Sequence, residues 1–194
     1  MMSKIVDKMK QEIITRSNLF EQQTKGTKDE YNIYREHVQY VYQYVLLLSK
    51  NKNVDKEVLE LSALLHDIAM TDINLDRSNH NENGAIITEQ LLRENNYPED
   101  KVQLVKKCIL NHSSKRLEYR TTEEEKILVN ADGLSHFDSI HNLYNLAHNV
   151  MELNDLSESA KILLSAVAGA VIQHLIDKEC PIDSIFKSGY FIIN

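Results

Sequence analysis

Only five glycines and two prolines punctuate 194 residues. Chains built from many short strands need frequent turns, and turns draw on these two residues. So sparse a supply favours long helices, and the apolar spacing agrees. Over residues 3–23, Ile5, Met9, Ile13 and Leu19–Phe20 recur at three- to four-residue steps until Gly26 breaks the pattern. A second helix is predicted over residues 29–50, with Ile33, His37, Val41, Val45 and Leu48 on one stripe. A third is predicted over residues 55–70, with Val58, Leu61, Leu65 and Ile68 inward and His66-Asp67 in its last turn.

Local start signals extend the series. Asn79 and Glu82 stand in the capping-box relation before a short fourth helix. Pro98, followed by Glu99 and Asp100, opens a fifth that should end near residues 111–113. Thr121 and Thr122, with Glu124 and Glu125, make two overlapping capping boxes for a sixth helix carrying Asp132. A last long helix is expected over residues 158–178, stopped by Pro181, with residues 190–193 as a packed tail. About seven helices and no strand predict an all-α fold. No repeat, low-complexity tract or Ser/Pro-rich linker divides the chain, so residues 1–194 are expected to form one domain.

The formal charge of −7, from 22 Lys and Arg against 29 Asp and Glu, argues against nucleic-acid or acidic-membrane partners. Cys108 and Cys180 match no zinc or thioredoxin spacing and are expected to be reduced. The N-terminus meets charge at Lys4 and Asp7 before any apolar segment of signal-peptide length. Residues 162–172, the longest weakly apolar stretch, are too few to cross a bilayer. A cytoplasmic location is the expectation.

Four of the eight histidines, His37, His66, His80 and His112, lie near predicted helix ends or on apolar stripes. Leu61-Ser62-Ala63-Leu64-Leu65 reads as a core helix, and an unpartnered aspartate directly after it would be costly to bury. Asp67 must therefore pair with a cationic side chain, cap a turn or bind a metal, and the doublet alone does not separate these. His66 and Asp67 can reach one ion at the helix terminus. An imidazole with a carboxylate suits zinc, manganese or iron better than calcium or magnesium.

Taken in order, helix-borne His37, the stretch Ala63-Leu64-Leu65-His66-Asp67-Ile68, His80 before Gly84-Ala85, His112 and Asp132 after Ala131 resemble the HD superfamily. The resemblance spans about residues 33–140, with the N-terminal helix and the C-terminal helices packed on that core. It implies a helical bundle in which His37, His66, Asp67 and Asp132 bind a divalent ion (Mn, Fe, Co, Ni or Zn). His80 and His112 are implied as ligands of a second ion or as acid–base groups, and Asp67, His80 and His112 as the catalytic set. Residues 111–115, Asn-His-Ser-Ser-Lys, are similar to a stretch in small bacterial HD enzymes that hydrolyse nucleoside triphosphates to monophosphates and pyrophosphate. Lys115 and Arg116 are then the implied substrate-phosphate contacts.

Two departures narrow the class. Relatives often have Asp three places after the distal metal-binding Asp, where this chain has Ser135. An acid four places after the doublet histidine marks the alarmone hydrolases and the deoxynucleoside 5′-monophosphatases, and Met70 stands there. The reading is a metal-dependent phosphohydrolase that attacks a small phosphorylated substrate, expected to be a nucleotide, with metal-activated water. Its rivals are a dinuclear-iron oxygenase or phosphodiesterase of the same superfamily, and a non-catalytic nucleotide-binding module. The apolar last helix would either cover the core or form a homodimer seam.

Overall fold

Ser3 opens the first helix by accepting a hydrogen bond from the Val6 amide. In the computed structural model, which describes residues 3–113 and 119–139, α1 then runs Lys4–Thr24. Val6, Met9, Ile13, Ser17 and Phe20 form its inward stripe, and the Ser17 and Thr24 hydroxyls donate to carbonyls four residues back. Gly26 follows at φ 77°, with nothing close to where a Cβ would stand, so backbone conformation alone favours glycine there.

The second helical segment starts later than the apolar stripe predicts. Buried Asn32 accepts from the Arg35 amide and donates to Asn18 and Glu21 on α1, so it caps the helix and fastens it at once. Helical backbone therefore begins at Ile33 rather than Asp29. Its first turn, Tyr34–Val38, is π-helical, and the Gln39 amide reaches back five residues to the Tyr34 carbonyl. Regular α2 continues over Gln39–Leu48. Such wide turns recur at functional sites, and this one carries His37.

Asp55 caps α3, Lys56–Leu65, by accepting from the Val58 amide. Val58, Leu59 and every residue over 61–65 are buried, so this helix is apolar nearly all round. It is accordingly central, touching α1 and α2 as well as α5 (Glu99–Asn111) and α6 (Glu123–Asp138). The helix stops sooner than predicted. His66 closes it, Asp67 leaves helical geometry at φ −110° and ψ 21°, and a 3-10 turn, Ile68–Thr71, follows. The doublet thus sits on the corner beyond the helix.

A 3-10 turn over Arg77–Asn79, capped by Asp76, leads into α4, His80–Glu94. The predicted Asn79/Glu82 capping box does not form, because Asn79 makes no side-chain cap bond and the preceding turn already feeds the chain into the helix. Helix α4 ends in a Schellman turn: Tyr97 and Asn96 amides donate to the Leu92 and Arg93 carbonyls, with Asn96 at φ 55°. Pro98 caps α5, and α4 packs on α5 and on the Ile68–Thr71 turn.

Of the two predicted boxes before α6, only Thr122/Glu125 forms, while Glu124 accepts from the Asp55 amide instead. The described residues thus give six α-helices and no strand, an all-α fold around one apolar core. The predicted helix over 158–178 and the tail at 190–193 lie outside the described residues. Among the described residues no helix is long and apolar enough to cross a membrane.

Candidate metal centre

Five separate segments deliver six chemically active side chains to one place. His37 comes from the π-helical turn, His66 and Asp67 from the corner after α3, and His80 from the first position of α4. His112 closes α5, and Asp132 stands mid-way along α6. Two groups result, each with ligand atoms within 4.8 Å of one another: His37, His66 and Asp132, and Asp67, His80 and His112.

The ring orientations reveal what the site is built for. Nδ1 of His66 lies 2.9 Å from the Ala63 carbonyl, that of His80 2.9 Å from Arg77, and that of His112 2.6 Å from Ile109. A carbonyl oxygen only accepts, so each Nδ1 carries a proton and each Nε2 is the ring nitrogen left to face the centre. Yet Nε2 of His80 lies 3.2 Å from Nε2 of His112, and Nε2 of His66 lies 3.0 Å from Nε2 of His37. Ring nitrogens so close share a cation between them, a proton or a metal ion.

Asp67 spans both groups. Its Oδ2 is 3.4 Å from His66 Nε2 and 3.6 Å from His37 Nε2. Its Oδ1 faces His112 Nε2 at 3.5 Å and His80 Nε2 at 3.7 Å, and is buried with no hydrogen-bond partner. Asp132 Oδ1 is 3.2 Å from His37 Nε2. Ligand atoms about 2.1 Å from a shared ion stand about 3.0–3.4 Å apart at octahedral to tetrahedral angles. The observed separations are close to that range, and the orphaned Oδ1 is the atom a cation would satisfy. The residues fit divalent metal.

Protonation follows the same crowding. Burial alone would lower the His66 pKa, but the carboxylates of Asp67 and Asp132 overcome it and raise it to about 9. Burial would raise both carboxyls, but His66 and His112 hold Asp67 well below the usual range, and His37 does the same for Asp132. Without metal, His66 holds a proton on both ring nitrogens at neutral pH.

Surrounding contacts hold these groups. The Arg120 guanidinium donates to the carbonyls of Asn111, His112 and Ser113 at 2.9, 3.2 and 2.8 Å, closing the end of α5 under His112. Asn81 donates to the Leu110 carbonyl and joins the start of α4 to that end. At Gly84 a Cβ would stand 3.1 Å from the His66 carbonyl oxygen, so glycine permits the approach of α4 to the doublet. His136 and Ser135 were not foreseen as neighbours of the site. The His136 ring lies nearly parallel to that of His37, centroids 5.5 Å apart, and burial lowers its pKa against the pull of Asp132. Positions three and four after Asp132 share its helix face, and that spacing was the available signal. Lys115 and Arg116 lie outside the described residues.

The HD domain profile matches residues 34–143, more than half of the chain. This chain belongs to the HD domain family. HD domains are in general metal-dependent hydrolases, and this chain is an HD-type enzyme. Among solved structures it is similar to a predicted HD superfamily hydrolase from an uncultured Thermotogales bacterium. The two share 20% identity with a TM-score of 0.53, covering 87% of this chain and 91% of that one. That likeness is one of fold. No curated protein matches the sequence.

Proposed function

We propose that this HD domain is a phosphohydrolase for a small phosphorylated substrate, a nucleotide by preference, working with two divalent ions. The observation that carries the reading is Asp67, whose two oxygens face different ligand groups. His37, His66 and Asp132 would hold one ion, His80 and His112 the other, with Asp67 shared. In this reading His80 and His112 act as ligands rather than as acid–base groups. Each has spent Nδ1 on a carbonyl, and each turns Nε2 toward the other.

When bound, divalent ions supply Lewis acidity, lowering the pKa of coordinated water from about 15.7 to about 7 and drawing charge from phosphoryl oxygen. The protein's own part is positioning. His66 is fully buried and His37 and His112 nearly so, whereas His80 keeps 28% of its side-chain surface and Asp132 21%. A phosphate therefore approaches from the side of Asp132 and His80. The neutral imidazoles leave the centre a net positive charge when metal is present, which favours that anionic group. Lys115 and Arg116, close in sequence to His112, are the proposed contacts for a phosphate beyond the reacting one.

Protein stripped of metal and reloaded with manganese, cobalt, iron, nickel or zinc, then assayed against nucleoside tri-, di- and monophosphates, tests this. Metal-dependent phosphate or pyrophosphate release is expected. Equal turnover before and after chelation would overturn it. The same ligand set could hold two irons in an oxygenase, which oxygen uptake by the iron-loaded protein would reveal.

A further inference from the structure

Ser135 is fully buried on α6, one turn beyond Asp132, and two contacts define its hydroxyl. Its Oγ lies 2.6 Å from the Asp132 carbonyl oxygen and 3.1 Å from His37 Nδ1. Two oxygens at 2.6 Å need a proton between them, and the carbonyl has none to give. The single serine proton is therefore committed to Asp132. Only lone pairs remain on Oγ, so His37 must be the donor in the second contact.

That order of donors decides the imidazole's form. With its proton on Nδ1, His37 keeps a lone pair on Nε2, the atom 3.0 Å from His66 and 3.2 Å from the Asp132 carboxylate. The other three histidines receive the same tautomer from carbonyls three residues back on their own segments. His37 does not: its Nδ1 faces across to α6, and the acceptor comes from a different helix. The nearly parallel His136 ring, from the next residue along, borders one face of His37 and limits its rotation.

We infer that Ser135 is a positioning residue for metal binding, relaying the Asp132 carbonyl to His37 so that Nε2 is presented unprotonated to the ion. One turn of α6 thus supplies a ligand and also orients the ligand opposite. The inference rests on the metal-centre reading above. Imidazole ¹H–¹⁵N correlation spectra of the Zn²⁺-loaded protein should show His37 carrying its proton on Nδ1. In Ser135→Ala that Nδ1 proton should exchange faster with solvent, and the Mn²⁺ or Zn²⁺ dissociation constant should rise about 10- to 100-fold. Ser135→Thr, which restores a hydroxyl, should recover both. Ser135→Cys keeps the shape and weakens both hydrogen bonds, and gives the same readouts should the alanine variant fold poorly.

A metal-binding wild type with the His37 proton on Nε2 would overturn the inference alone. So would unchanged metal affinity in folded Ala and Cys variants, or a Thr variant as weak as Ala. A wild type that binds no divalent metal would overturn the metal-centre reading and this inference together.

Discussion

At the scale of single residues, Asp67 and His112 make different demands on the same centre. Asp67 reaches both ligand groups, whereas His112 belongs to one. Asp67→Asn should therefore lower bound metal at both positions and abolish hydrolysis. His112→Ala should cut metal content from about two ions to about one per chain, a difference that elemental analysis after dialysis would show. Loss of all metal from the His112 variant would mean that the two groups do not fill independently. Gly84 makes a steric demand instead. A methyl group there meets the His66 carbonyl oxygen at 3.1 Å, so Gly84→Ala should push α4 off the doublet. The expected cost is about 1–3 kcal/mol in chemical denaturation, the usual range for overpacking, with weakened metal binding beside it. The signals legible in the sequence at this scale were residue types on helix ends: an aspartate after an apolar run, and histidines at helix boundaries. Ser135 was legible only as a departure three places after Asp132, and His136 only through its spacing from that residue. Whether a residue one turn from Asp132 touches His37 depends on how α6 packs against the π-helical turn, 98 positions away along the chain.

At the scale of elements, the start of α6 shows how local chemistry fixes a boundary that the site depends on. Glu125 is buried, accepts from Asn111 at 2.7 Å and from the Thr121 and Thr122 amides at 2.9 Å each, and lies 3.4 Å from Lys107 Nζ. Burial would raise its carboxyl pKa, but the hydrogen bonds from Asn111 and the two threonine amides outweigh burial and hold it below the ordinary value of 4.5. A carboxyl depressed in this way stabilises the fold at every pH above the unfolded value and loses that contribution as pH falls through the folded one. The wild type should thus lose more stability on acidification below about pH 4.5 than Glu125→Gln, whose amide does not titrate there. Urea melts at pH 7 and at pH 3.5 would compare them, and parallel loss in both would contradict the assignment. Glu125→Ala, which strands the Asn111 amide and two backbone donors, should cost about 2–4 kcal/mol at pH 7. The Thr122/Glu125 box was legible because both partners are three apart in sequence. Its rival through Thr121 was indistinguishable by that rule, and it lost because Glu124 is drawn to the Asp55 amide, 69 positions away. The late start of α2 has the same kind of cause, since Asn32 is held by Asn18 and Glu21 of α1.

At the scale of the whole molecule, the six proposed ligands are spread from the turn before α2 to the middle of α6, and only the folded chain assembles them. The bundle does not need metal to bury its core: α3 is apolar nearly all round and touches four helices. What the metal-free state carries at its centre is an Asp67 oxygen with no hydrogen-bond partner and imidazole nitrogens facing one another at 3.0 and 3.2 Å. That pattern predicts a chain that folds without metal and melts higher with it. Because an ion bound to the folded state alone stabilises by RT ln(1 + [M]/Kd), a free concentration 100 times Kd adds about 2.7 kcal/mol per site. The melting temperature should therefore climb with the logarithm of free Mn²⁺ or Zn²⁺ and fall on chelation, while helical circular dichroism at low temperature stays unchanged. In Asp67→Asn the climb should be largely lost. Two sites filling together would give twice the slope of one, so the slope itself counts ions, independently of catalysis and of which phosphate the enzyme takes. A melting temperature indifferent to divalent metal would leave the His37–His66 contact bridged by a proton alone, which the elevated His66 pKa of about 9 allows near neutral pH.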